Sequence, residues 1–176
     1  MILEEDDLAF DFRTAVSGAK FDDQNHGLSH CMKAVDLIIE TADKVLFIEV
    51  KDPQHPQAQQ KDREKFLDEL KSEKLIHENL VVKGRDSFLY KFAAGEISRI
   101  KKPIHYYVLI AQDTLDSALL IQLTDKLRKA IPTSGPDNRR WQSPFIEECA
   151  VFNLKTWNIN LPHIPVRRKS DKIIER

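Results

Sequence analysis

Two short apolar runs, residues 35–40 ("VDLIIE") and 45–51 ("VLFIEVK"), are separated only by "TADK", residues 41–44. Rich in Val, Ile, Leu and Phe and joined by a tight loop, they read as two strands of a β-hairpin. Inside them stand Asp36, Glu49 and Lys51. Ionised groups in a core strand are costly unless something compensates them. Strand side chains alternate faces, so Phe47, Glu49 and Lys51 share one face, Leu46, Ile48 and Val50 the other, and Asp36, Ile38 and Glu40 share a face of the first strand. With "TADK" as the loop, Glu40 opposes Val45 and Asp36 opposes Glu49, with Cβ atoms about 4.5–5.5 Å apart. A two-residue loop would instead set Asp36 against Lys51. Either register gathers the three charges; only a one-residue slip, which turns every side chain of a strand over, would separate them.

Two adjacent carboxylates repel unless positive charge lies between them. Carboxylate oxygens are hard ligands suited to Mg²⁺, which keeps several waters and binds phosphates alongside one or two acids. A cation so held acidifies water and offsets charge on a phosphoryl oxygen. A nearby lysine can orient or deprotonate the attacking water. These are the parts that phosphodiester hydrolysis needs. A salt bridge on a half-exposed hairpin is the plain alternative, and exposed pairs of that kind contribute only about 0–1 kcal/mol.

Asp36, twelve intervening residues, then Glu49-Val50-Lys51 resembles the active-site motif of the PD-(D/E)XK nuclease superfamily. The resemblance implies a restriction-endonuclease-like α/β core of helix, three strands, helix and strand: a small mixed central sheet flanked by helices. It implies that Asp36 and Glu49 hold Mg²⁺ or Mn²⁺, with the Val50 carbonyl as a further ligand and Lys51 as the catalytic lysine. The implied partner is nucleic acid, DNA in most of the superfamily, and the superfamily also suggests a homodimer. Val35 stands where the motif's proline would be, and the following helix lacks the Gln-x-x-x-Tyr of helicase-associated members. Many members add an acid from the first helix. Glu4, Glu5 and Asp11 are all available here, with Asp22 and Asp23 close in sequence.

The remaining pattern fits around the hairpin. Residues 4–16, with Leu8, Phe12 and Ala15 or Val16 at helical spacing and acids crowding the start, predict an opening helix. Residues 18–31, "GAKFDDQNHGLSHC", read as turns with a short strand on either side. Residues 58–80 lack Gly and Pro and predict one helix with Phe66, Leu67, Leu70 and Ile76 on a face. A second helix is expected from Asp86 as N-cap to Gly95. Residues 104–112 predict a buried strand, 117–131 an amphipathic helix ended by Pro132, and 149–159 a last strand. A chain of 176 residues fits a single domain, with residues 1–112 as the nuclease-like core and 113–176 as a C-terminal extension of helix, loop and strand.

Charge is uneven. Residues 1–60 hold 5 Lys/Arg against 12 Asp/Glu, and residues 61–176 hold 22 against 16. That asymmetry suits an acidic metal centre beside a basic surface. Lys83, Arg85, Lys91, Arg99, Lys101 and Lys102 lie in one stretch, and Arg139-Arg140 and Arg167-Arg168-Lys169 follow. With Tyr90, Tyr106, Tyr107 and Trp141 nearby, they form the candidate backbone-contacting surface. No reading module such as a helix-turn-helix is recognisable. His26, His30 and Cys31 lack a fourth ligand at zinc spacing and read as loop residues. The acidic start, the short apolar runs and the two widely separated cysteines predict a cytoplasmic protein with no membrane span and no disulfide.

Overall fold

In the computed structural model, residues 1–23, 27–96, 102–131, 133, 135, 136, 141 and 145–173 are described. His26, Arg99, Lys101, Pro132, Arg139 and Arg140 lie outside them. The hairpin forms as its sequence dictates: β4 (Leu37–Thr41) pairs antiparallel with β5 (Val45–Lys51), and Glu40 faces Val45 across the "TADK" loop. The Thr41 hydroxyl and amide close that loop onto Lys44.

The chain does not open with a helix. Residues 4–16 lie instead in β1 (Ile2–Glu5), β2 (Leu8–Asp11) and the start of β3 (Ala15–Lys20). Leu8 and Phe12 fit helical spacing, but Leu8, Phe10 and Phe12 are all buried, and that alternation is the strand period. Asp6 and Asp7 make the two-residue turn, Asp6 at a positive φ of 51° that Asp tolerates.

The long helical stretch also divides differently. Helix α1 (Gln60–Lys71) stops where Ser72 turns back onto the Asp68 carbonyl and Glu73 takes a positive φ of 61°. The next helix begins with a π-helical turn, Leu75–Leu80, running directly into α2 (Val81–Ala93). Asp86 is therefore no N-cap. It is buried within α2, where its carboxylate accepts from the Lys33 amide. Nothing in "KSEK" breaks a helix by composition; the break follows from burial, since Leu75, Ile76 and Leu80 must reach the core while α1 buries only Phe66.

Strand β6 (Ile104–Ile110) and helix α3 (Ser117–Ala130) fall where expected, α3 capped by the Asp116 side chain. The expected last strand is shorter. β7 (Glu148–Phe152) ends at Asn153, which with Thr156 forms a reciprocal capping box opening α4 (Leu154–Asn160). β8 (Val166–Arg168) and a 3₁₀ turn (Ser170–Ile173) follow.

The strands form a mixed five-stranded sheet, β3-β4-β5-β6-β7, antiparallel up to β5 and parallel after it, and a three-stranded sheet, β1-β2-β8. Val45 and Phe47 of β5 face a core shared with Phe66, Leu75, Leu80 and the buried side of α3. Leu46, Ile48 and Val50 face a second core with the small sheet and α4. Buried on both faces, β5 and β6 read as continuous apolar runs, as central strands do. Among the described residues no helix is long and apolar enough to cross a membrane, and Cys31 and Cys149 are both free.

Trp157 anchors the second core: fully buried, it meets Phe10, Tyr107 and Phe152 edge-on and donates its indole N–H to the Ile164 carbonyl at 2.7 Å. Trp157→Ala is expected to cost about 3–5 kcal/mol, read as a lowered urea midpoint. A loss under 1 kcal/mol would show that α4 and the small sheet are dispensable to the fold.

Candidate metal centre

The β4–β5 ladder stops at Leu37 and Ile48. One residue earlier the chain parts from β5, because the Val35 amide bonds Ser87 Oγ and the Lys33 amide bonds Asp86, both on α2. The two strands therefore separate just where Asp36 and Glu49 stand opposite each other. That parting would strand the Val50 N–H, and the Asp36 carboxylate accepts it through Oδ2. N–H and C=O of one strand residue point to the same lateral side, so the Val50 carbonyl emerges on this edge as well.

Glu49 is fully buried and Asp36 is 4% exposed. Lys83 Nζ, reaching in from α2, lies 3.0 Å from Asp36 Oδ1 and 2.8 Å from Glu49 Oε1. Lys51 Nζ lies 2.8 Å from the same Glu49 oxygen. Both ammonium groups approach Oε1 closely but off the line of a good hydrogen bond, and Oε2 has no partner among the described residues. A buried carboxylate oxygen without a donor demands an explanation.

Sequence reasoning thus brought Asp36, Glu49, Val50 and Lys51 to one place, and the structure places them together. It did not foresee Lys83, which had been grouped with the basic surface. The signal lay in "VVKGRDS": α2 buries Gly84 and Ser87, small residues on the face that meets the sheet. A Cβ at Gly84 would meet the Tyr106 ring at 3.1 Å. That close approach, reinforced by the Tyr106 hydroxyl donating to the Leu80 carbonyl, brings the adjacent Lys83 over the carboxylates.

Among the N-terminal acids, Glu5 and Asp22 complete the cluster: each offers an oxygen within 4.8 Å of the other and of Asp36. Glu5 comes from the end of β1 and is paired with Lys20 at 2.8 Å. Glu4 pairs with Lys169 and Asp11 with Arg13. Among the described residues, and with every group ionised, the centre holds four carboxylates (Glu5, Asp22, Asp36, Glu49) against three ammonium groups (Lys20, Lys51, Lys83), one negative charge in excess. Burial, then the Asp36 charge, pushes Glu49 up to about 7. Burial, then Asp36 and Glu5, pushes Asp22 up to about 6, and Glu5 is raised chiefly by burial. Burial alone would lower Lys83, but the facing Glu49 and Asp36 carboxylates outweigh it and hold its pKa above the ordinary lysine value. The donor set fits a hard divalent ion. It is all oxygen, carries an unbalanced charge, includes an orphaned buried carboxylate oxygen, and already draws an ammonium between its two central acids.

The loop after Lys51 is fixed from the far end of the chain. Arg168 binds Asp52 through two bonds of 2.9 Å and the Ala111 carbonyl at 3.0 Å. The expected basic surface fares less well. Lys91 pairs with Glu96, Lys102 with Glu40, Arg85 with Asp86 and Lys169 with Glu4. Tyr106 and Tyr107 are buried, so neither forms part of an exposed aromatic surface. No family model matches the chain, and no curated protein or solved structure matches it either.

With no added metal, the raised Glu49 predicts a particular pH dependence. The folded protein retains a proton that the unfolded chain releases between the ordinary 4.5 and about 7, so stability falls as pH rises through that window. The contribution of this one group is about 3 kcal/mol, and Asp22 acts in the same direction. Urea titrations in EDTA from pH 4.5 to 8 should show the fall, and Glu49→Gln should make it shallower, leaving the part that Asp22 contributes below about pH 6. An equally steep fall in the variant would place its origin elsewhere.

Proposed function

We propose that the chain is a metal-dependent phosphodiesterase of the PD-(D/E)XK type that hydrolyses the backbone of nucleic acid, with DNA as the substrate. The observation that carries this reading is the meeting of Asp36, Glu49, the Val50 edge and Lys51 where β4 parts from β5. The order of three strands, helices and a parallel fourth strand is compatible with the restriction-endonuclease-like core. The departure is at the N-terminus, where a β-hairpin replaces the opening helix and supplies Glu5 in place of a helical acid.

In this reading Asp36 and Glu49 hold Mg²⁺ or Mn²⁺, with the Val50 carbonyl beside them. The ion, when bound, would acidify a water and neutralise charge on the phosphoryl oxygens. Lys51, kept in place by Glu49 and by the Arg168-anchored loop that follows it, orients the attacking water and offsets charge in the transition state. Lys83 fills the space between the acids in the resting protein and is positioned to turn to a phosphate oxygen when other positive charge arrives.

The test is cleavage of plasmid and single-stranded substrates with Mg²⁺, Mn²⁺ or EDTA. Expected are metal-dependent cleavage, a loss of about 100-fold or more in Glu49→Ala and Asp36→Ala, and weakened Mn²⁺ binding by calorimetry in both. Cleavage that survives Glu49→Ala would remove the assignment.

One observation favours a second reading. Lys83 already bridges both acids, as it would in a catalytically inactive nucleic-acid-binding or protein-interaction module whose acids are only an ion-pair network. There, Lys83→Ala should destabilise the fold by about 3–5 kcal/mol at any Mn²⁺ concentration. In the enzyme, millimolar Mn²⁺ should restore most of that loss, read by thermal unfolding with and without the ion.

A further inference from the structure

A second feature lies on the same face of the sheet as the acids. Between the strands and the end of α2 is a cavity of about 250 Å³. Ile38, Phe47 and Ile104 form its floor, and Phe21 lines it as well. Ile38 and Phe47 each stand two residues from an acid, Asp36 and Glu49, on the same strand face, roughly 7 Å along the strand.

Phe21 connects the cavity to the metal centre. Its amide donates to the Asp36 carbonyl at 2.8 Å, its neighbour Asp22 belongs to the acidic cluster, and its ring packs edge-on against Tyr90 with Lys91 Nζ 4.9 Å above it.

The rim identifies the kind of ligand. Among the described residues it carries two cations and two anions, already matched: Lys91 with Glu96 at 2.7 Å and Lys102 with Glu40 at 2.6 Å. A balanced rim repels a phosphate as much as it attracts one, so the occupant is neutral. The lining is largely apolar and includes two aromatic rings, Phe21 and Phe47, which suits a flat ring, while the lysine and glutamate heads offer donors and acceptors to a polar edge. A volume just under the usual range for whole small-molecule ligands suits a single ring system.

We infer that this cavity receives one nucleobase of the substrate strand, turned out of its stack, while the adjoining phosphate lies at Asp36 and Glu49. The inference rests on the phosphodiesterase reading for its substrate and adds a base subsite beside the reacting phosphate. Turning a base out of the stack is least costly in single-stranded or mismatched nucleic acid, so those substrates are preferred over a paired duplex.

Two measurements test it. Ala19 is exposed, lines the cavity and pairs with Ile38 across β3 and β4, so Ala19→Trp fills the space without entering the core. First, adenosine and thymidine are titrated in EDTA into isotopically labelled protein, followed by amide resonances. Shifts at Ala19, Phe21 and Phe47 that disappear in Ala19→Trp are expected; no shift at millimolar nucleoside overturns the subsite, whatever the protein cleaves. Second, cleavage of a thymidine oligomer is compared with that of an equally long abasic oligomer in Mn²⁺. The wild type should favour the thymidine oligomer by about tenfold, and Ala19→Trp should abolish the preference by slowing that substrate alone. Equal cleavage of both by the wild type leaves the phosphodiesterase standing and overturns the base subsite. Nucleoside shifts without any cleavage overturn the phosphodiesterase reading and, with it, a base held beside a reacting phosphate.

Discussion

The Asp36 carboxylate accepting the Val50 N–H is the interaction on which the centre depends. A hairpin that continued its ladder would satisfy Val50 with backbone and bury the space between the strands. Here the chain before β4 is drawn to α2 by Ser87 and Asp86, and one side-chain oxygen replaces the missing backbone acceptor. The same bond does three things. It ends the sheet without leaving a buried donor unpaired, orients Asp36 toward Glu49, and keeps open the edge from which the Val50 carbonyl emerges.

Electrostatics follow from that geometry. Desolvation first, and the repulsion between neighbouring acids second, raise Glu49 to about 7 and Asp22 to about 6. A centre built only for stability would gain more from apolar packing, since buried ion pairs are often no better than hydrophobic replacements. Two buried acids with two further acids at their edge are reasonable where positive charge is to be recruited from outside. Lys83 moderates the repulsion meanwhile: a single ammonium on a flexible stem can leave, which a fixed backbone donor could not.

The hairpin was legible in the sequence because strand period, loop length and charge placement all constrain one another. Even a mistaken turn would have kept Asp36, Glu49 and Lys51 on one face. Elsewhere single signals competed. Leu8 and Phe12 suggested a helix until Phe10 is counted, and "NLKTWNI" continued an apparent strand although Asn153 and Thr156 form a helix start. Lys83 was not legible as a site residue and Glu5 could not be singled out from Glu4 and Asp11, because both roles arise from packing across the sheet, Lys83 through the close contact of Gly84 with Tyr106 and Glu5 through the position of a hairpin read as a helix. The basic clusters were legible only as a count of charges. Counting cations along the chain ignores their partners, and several of these lysines and arginines already have one.

Helix α2 ties these features together. Its first half delivers Lys83 to the acids, and its last turn delivers Lys91 to the cavity, about 12 Å along one rigid axis. On the opposite side β3 does the same, ending at Lys20 beside Glu5, with Phe21 and Asp22 immediately beyond. Gly84 leaves little slack against Tyr106, so α2 is held at one distance from the sheet and neither residue is free to drift from its place. One helix thus sets both the ammonium over the acids and the cation beside the cavity, so the two features keep a fixed spacing.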